Sequence, residues 1–340
     1  MGRLRARGTL VLKQFWPEGR SDADTANLNI ALDLSPAFVF RPESGVEQPT
    51  KVFDEAYWKN RSKRDPLLGK KHDKLRVRLQ GIDAPELHFL PPVKGAKNFR
   101  QRLAESAVYA LREKLLQMAD GRKELRADAL TFVESPNDAF DMFGRFVGNV
   151  TVYADGFALD INHWLLEQGW AVPGLYNSMT SRELNVARAL SSQAAKRKLG
   201  LYKSAWYKNK LVKFEHDLVV RHKVDPASFR LYEDKGSVMN PKFFRRQANF
   251  EAKEKNKPSG KTFRQSLIED KGYRGLTWGV YSSLPESKRG DLEVLREASV
   301  PLGSLISVKG NLPKADNLIY LEGPADIVDA AGNVIDSWDF

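Results

Sequence analysis

Arg78, Asp83 and Glu86 are the residues of this chain whose types and spacing most directly suggest chemistry. They stand at offsets 0, +5 and +8 in Arg78-Leu79-Gln80-Gly81-Ile82-Asp83-Ala84-Pro85-Glu86. A guanidinium matches two phosphoryl oxygens at once. One carboxylate could hold a hard cation and a second could activate water. That combination suits the cleavage of a phosphate ester. The elements that must position it are readable from the same run. Leu75, Val77 and Leu79 alternate with Arg76, Arg78 and Gln80, the period of a half-buried strand. Pro85 turns Ala84 away from helical geometry, so the strand runs into a stiff turn that presents Asp83 and Glu86. The plain alternative is a strand-to-turn connection with surface charges.

Two further segments weigh against that alternative. Asp22-Ala23-Asp24-Thr25 lies between the apolar runs 9–12 and 28–32, at a hairpin connection, and Asp141-Met142-Phe143-Gly144-Arg145 precedes an alternating strand over 146–152. Taken in order, the three segments resemble the active-site motifs of the staphylococcal nuclease (thermonuclease) family. The likeness continues through Ile161-Asn162-His163-Trp164-Leu165-Leu166-Glu167-Gln168-Gly169-Trp170-Ala171 to Leu201-Tyr202, covering about the first 205 residues. It implies an α+β fold, an OB-type five-stranded β-barrel with about three helices. It also implies a calcium ion (Ca2+) held by Asp24, Asp83 and the main-chain carbonyl of Ala84, with Asp22 adding outer charge. Glu86 would act as general base, and Arg78 and Arg145 as charge partners of the phosphoryl oxygens. Phe143 stands where the family usually has tyrosine, so stacking on a base survives while a phenolic hydrogen bond is lost. Tyr176 is the candidate for a second substrate-contacting tyrosine. Lys94 and Lys97, in the polar loop after Glu86, are candidates for touching a phosphate backbone.

Composition agrees with a polyanion as partner. The chain has 340 residues, 42% of them hydrophobic, and a formal net charge of +11. Cysteine is absent, which excludes disulfides, zinc–thiolate sites and thiol nucleophiles. Five histidines without a His-x-His or His-Glu-x-x-His spacing do not support a histidine metal site. Neither His88 nor His163 sits in such a pattern, and no Gly-x-Ser-x-Gly elbow occurs. No long apolar span suggests a membrane, and the run from Thr9 to Leu12 is too short for a signal-peptide core, so a cytoplasmic location is expected.

The expected organisation is a nuclease-like domain over 1–207 and a smaller β-rich domain over 208–340. The first carries a basic insertion at about 41–74, with Tyr57 and Trp58 as candidate stacking or anchoring residues. A helix is expected over 98–119, strands over 123–133 and 145–154, a turn at Asp155-Gly156, and a last helix opened by the capping box of Thr180 and Glu183. In the second domain, strands are expected at 212–214, 218–220, 228–232, 275–281, 305–309 and 318–321. The stretch from Lys242 to Arg274 interleaves Phe243, Phe244, Phe250 and Phe263 with Lys and Arg. It reads equally as a nucleic-acid surface or as a solvated linker or helix. The leading functional expectation is a calcium-dependent endonuclease acting on DNA or RNA, preferably single-stranded, and leaving 3′-phosphate ends. The alternative is a catalytically silent scaffold of the same fold that binds nucleic acid or protein. A protein partner could bind through the C-terminal region.

Overall fold

The computed structural model describes residues 1–16, 18–30, 37–50, 74–141, 144–203, 207–211, 238–270 and 272–321, and the backbone of 326–328 and 334–337. The expected strands within 212–232, Tyr57 and Trp58 lie outside the described residues. Two compact units emerge. The first takes Met1–Gln80 and Ser106–Leu165; the second includes Gly81–Glu105, the described part of 166–211, and 238 onward.

The first unit is the expected barrel. Strands β1 (Gly2–Val11), β2 (Thr25–Asn29), β3 (Phe38–Arg41), β4 (Gln48–Pro49), β5 (Lys74–Leu79), β7 (Glu124–Val133), β8 (Phe146–Ala154) and β9 (Phe157–Asp160) form one sheet; β6 (Ile82–Asp83) belongs elsewhere. The ring closes through the pairs β1–β2, β2–β5, β5–β8, β8–β7 and β7–β1, all antiparallel except β5–β8. Closure removes the sheet edges that would otherwise template aggregation. The alternation read from the sequence faces the apolar members inward. Leu4, Leu10, Leu28, Leu75 and Phe146 are fully buried, and each contributes roughly 1.5–3 kcal/mol relative to exposure. β3 and β4 extend one side through β1, and β9 extends β8 across the Asp155-Gly156 turn. Both turn residues have positive φ, as a tight hairpin connection asks.

Helix α1 spans Ala104–Ala119 and buries Ala107, Leu111 and Leu115, the expected stripe. It starts later than the expected residue 98, because the backbone of Phe99 exchanges two 2.7 Å hydrogen bonds with Phe89 instead of entering a helix. Helix α2 (Ile161–Glu167) and helix α3 (Ser181–Lys196) follow. The capping box of Thr180 and Glu183 opens α3 as read.

The second unit carries the small sheet expected toward the C-terminus, with helices around it. Its strands run in the order β11 (Leu175–Tyr176), β14 (Leu318–Tyr320), β12 (Arg274–Thr277), β13 (Val300–Pro301), and β11–β14 is a parallel pair. β10 (Val172–Pro173) pairs with β6, and a separate hairpin joins β15 (Asp326–Val328) to β16 (Val334–Ser337). Helices α4 (Pro241–Asn256), α5 (Phe263–Glu269), α6 (Trp278–Ser283) and α7 (Leu292–Ala298) accompany the sheet. The strand expected over 275–281 therefore stops at Thr277, whose hydroxyl caps α6, and 305–309 is irregular rather than a strand. The Lys242–Arg274 stretch is largely helical. Phe243, Phe244 and Phe263 lie in a core with Met239, Leu267 and Leu318, so these aromatics are not stacking platforms.

Candidate active site

The barrel places two of the sequence-derived cations. Arg78 lies on β5 opposite Thr25 of β2, so the residue before that strand, Asp24, comes beside it. The Arg78 guanidinium pairs with Asp24 Oδ2, and the Leu79 amide donates to the Asp24 carbonyl at 2.9 Å. Asp24 is nearly buried while Arg78 keeps an exposed rim. The Asp22 carbonyl accepts from the Thr25 amide at 3.2 Å, which shapes the turn ahead of β2. Arg145 sits in a tight turn whose Gly144 has a φ of 74°. Its Nε donates to Asp141 Oδ2 at 2.7 Å and its amide to Asp141 Oδ1 at 2.8 Å. The aspartate of that motif thus orients the arginine of the same motif. Phe143 lies outside the described residues.

The second unit places the carboxylates. Asp83 is on β6, opposite Val172, and Asp83, Ala84 and Glu86 are all buried. Gln101 holds the Glu86 backbone from both sides: its side-chain oxygen accepts from the Glu86 amide at 3.0 Å, and its own amide donates to the Glu86 carbonyl at 2.7 Å. The Gln101 side-chain amide also donates to the Met239 carbonyl at 3.0 Å. Gln101 is fully buried, so losing any of these bonds would strand a polar group.

Sequence reasoning missed Arg245. This residue of α4 sets its fork on Asp83, Nη1 to Oδ1 at 3.0 Å and Nη2 to Oδ2 at 3.2 Å, and its Nη1 also bonds Glu86 Oε1. Burial would pull the Arg245 pKa down, but the charges of Asp83 and Glu86 outweigh it and hold the group well above its ordinary value. The helix was only one of the readings left open for this stretch, although its start carries local signals. Asn240 caps it by accepting from the Lys242 amide, and Pro241 fills a first-turn position. The pairing was not legible, because 162 residues separate Arg245 from Asp83.

The other sequence candidates take different surroundings. Tyr176 is half-buried and bonds Lys242 Nζ through its hydroxyl, with that ammonium 4.0 Å from its ring centroid. The same ammonium stands 4.2 Å from the Tyr320 ring. Lys94 and Lys97 are exposed, and the Lys94 carbonyl accepts from Asn256 at 3.3 Å. His163 Nδ1 lies 3.4 Å from Asp160 Oδ2 in the first turn of α2.

The calcium implied by the resemblance can be tested against these partners. A calcium ion needs carboxylate oxygens turned toward it at 2.3–2.6 Å. Both Asp83 oxygens face Arg245, and Asp24 faces Arg78. Among the described residues no group of three or more His, Asp or Glu side chains is arranged to hold a metal ion. The arrangement does not fit the ion. What it can supply is cationic: guanidinium groups, each oriented by a carboxylate.

Residues 76–204 match the family model of the staphylococcal nuclease homologue. No curated protein matches the chain. Among the described residues, no helix is long and apolar enough to cross a membrane.

Proposed function

Starting from a chain that carries a staphylococcal nuclease homologue domain at 76–204, we propose that it is a phosphodiesterase that hydrolyses DNA or RNA, with single strands preferred. The observation that carries this reading is the closed barrel presenting Arg78 on β5, inside the family match, with Asp83 and Glu86 at +5 and +8. Arg78 and Arg145 bind non-bridging phosphoryl oxygens and gain strength as charge develops on them in the transition state. Each is held by an aspartate, Arg145 by Asp141 of its own motif and Arg78 by Asp24 of the turn before β2, so little reorganisation is needed when a phosphate arrives. Glu86 takes the proton of the attacking water, the new P–O bond forms, and the bond to the 5′-oxygen breaks. That oxygen takes a proton from solvent water as it departs, giving a 5′-hydroxyl, and the other end keeps a 3′-phosphate, following the family analogy. No step depends on calcium, because the carboxylates that would hold it are engaged by arginine. The net charge of +11 supports long-range attraction of the polyanion. A cytoplasmic location and a division near residue 207 belong to the same proposal.

The scaffold reading keeps one observation in its favour: the Arg245 bond to Glu86 weakens that carboxylate as a base. Incubating the purified chain with labelled single-stranded DNA and RNA separates the two. Fragments that disappear with Arg78→Ala support the enzyme; binding without fragments supports the scaffold.

A further inference from the structure

We propose that Arg245 is the resident cation of the Asp83–Glu86 carboxylate pair, taking the place a divalent ion would need and making that pair independent of one. This rests on the reading above only in treating Asp83 and Glu86 as site residues; it does not require the chain to be an active nuclease.

Three observations carry it. First, the fork engages both oxygens of Asp83, and one of its nitrogens also reaches Glu86. A guanidinium in that position bonds both Asp83 oxygens, and its charge repels a second cation.

Second, the helix that delivers Arg245 is anchored. Phe243, Phe244 and Ala248 sit on α4 in a core with Met239, Phe263, Leu267, Leu312 and Leu318. Withdrawing Arg245 by moving α4 would expose that core. Gln101 adds a direct tie, bonding the Glu86 backbone and the Met239 carbonyl just before the helix.

Third, the neighbouring cations of α4 are placed on aromatic faces. Lys242 lies against the Tyr176 and Tyr320 rings, and the Arg246 guanidinium is 4.1 Å from the Tyr273 ring centroid. Burial lowers the Arg246 pKa, the opposite direction from Arg245. The helix thus carries three cations within one turn and a half, and Arg245 is the one whose charge the two carboxylates reinforce.

The inference changes what calcium is expected to do. In the unaltered chain calcium has no carboxylate pair to enter here. Removing the guanidinium leaves two buried carboxylates, which a divalent cation can then bridge.

The test is thermal unfolding of the full chain across a calcium chloride series, with sodium chloride matching the ionic strength. The wild-type Tm is expected to stay constant. Arg245→Met is expected to melt at least about 5 °C lower, from the loss of the guanidinium beside two buried carboxylates, and to recover with calcium along a saturating curve. Adding Asp83→Asn to Arg245→Met should remove the recovery. A saturating rise in the wild-type Tm that Asp83→Asn abolishes would overturn the proposal, as would an Arg245→Met protein that folds but ignores calcium. Should Arg245→Met fail to fold, the wild-type series decides by itself, since a flat response supports the resident cation and an Asp83-dependent rise refutes it. Cleavage is not read in any arm, so a failure here is distinct from a failure of the nuclease reading.

Discussion

The two compact units solve the same electrostatic problem at different ranges. In the barrel, each arginine of interest is neutralised by an aspartate that the barrel itself brings close: Arg145 by Asp141 four residues earlier, and Arg78 by Asp24 just before the adjoining strand. In the second unit the carboxylates Asp83 and Glu86 are neutralised by a helix 159–162 residues further on. The difference separates two kinds of dependence. The barrel pairs follow from local turn and strand register, so they form whenever the barrel forms. The Arg245 contact forms only when the C-terminal helix docks, which makes the state of Asp83 and Glu86 a property of the second unit's fold.

The sharpest way to break this comparison is to remove the distant partner. Arg245→Ala should cost about 3–5 kcal/mol, because two buried carboxylates lose the guanidinium paired with both. Denaturant unfolding would show it, and a cost under 1 kcal/mol would mean the pair is solvated in solution. Local pairs should behave differently. Arg78→Ala and Arg145→Ala should each cost only roughly 1–3 kcal/mol of stability, yet lower kcat by at least about 10²-fold if these groups stabilise the phosphoryl charge. Turnover measured on folded protein checks this, and a wild-type rate in either variant removes that residue from the mechanism.

Gln101→Ala sharpens the comparison within the second unit. It strands the Glu86 amide and the Met239 carbonyl, so a loss of about 1–3 kcal/mol is expected. Hydrogen exchange at the Glu86 amide should speed up, while amides of β5 stay protected. Equal acceleration in β5 would show that the barrel depends on this tie after all.

The smallest effect is alkaline. Burial pushes Tyr202 up to about 12, opposed only in part by its hydroxyl contact with Ser191 at 2.8 Å. In the unfolded chain tyrosine ionises near about 10, so the folded state holds its proton longer. This contribution is intact below pH about 10 and is lost as the pH rises from there through the folded value. Tyr202→Phe should flatten that part of the stability profile, and an unchanged slope would place the loss elsewhere.

The sequence made most of the barrel legible because period-two alternation over 75–79, 125–133 and 146–152 survives in the folded chain as one buried face, whereas β1 was read only from its apolar end at 9–12 and begins at Gly2. The turn after Arg78 was legible from Pro85 and the Arg145 turn from its motif, and in the structure Gly81 and Gly144, each with positive φ, let the backbone bend there. The second unit was harder. Phe243 and Phe244 among lysines and arginines read as well for a nucleic-acid surface as for a solvated linker or helix, and packing against Leu267 and Leu318 makes them core residues of a helix instead. Arg245 was hidden for a stronger reason. A charge pair spanning some 160 residues leaves no local pattern, and an arginine in a basic stretch looks like any solvated one. The calcium expectation came with the family resemblance, which carries no information on the distant partner of Asp83 and Glu86.

The most direct test of the whole account is cleavage of labelled single-stranded DNA and RNA by the full chain in chelator and in calcium. A nuclease with a built-in guanidinium at Asp83 and Glu86 should yield the same fragments at similar rates in both buffers, and none with Arg78→Ala. Cleavage that requires calcium would contradict the resident cation, and intact substrate in both buffers would contradict the enzyme.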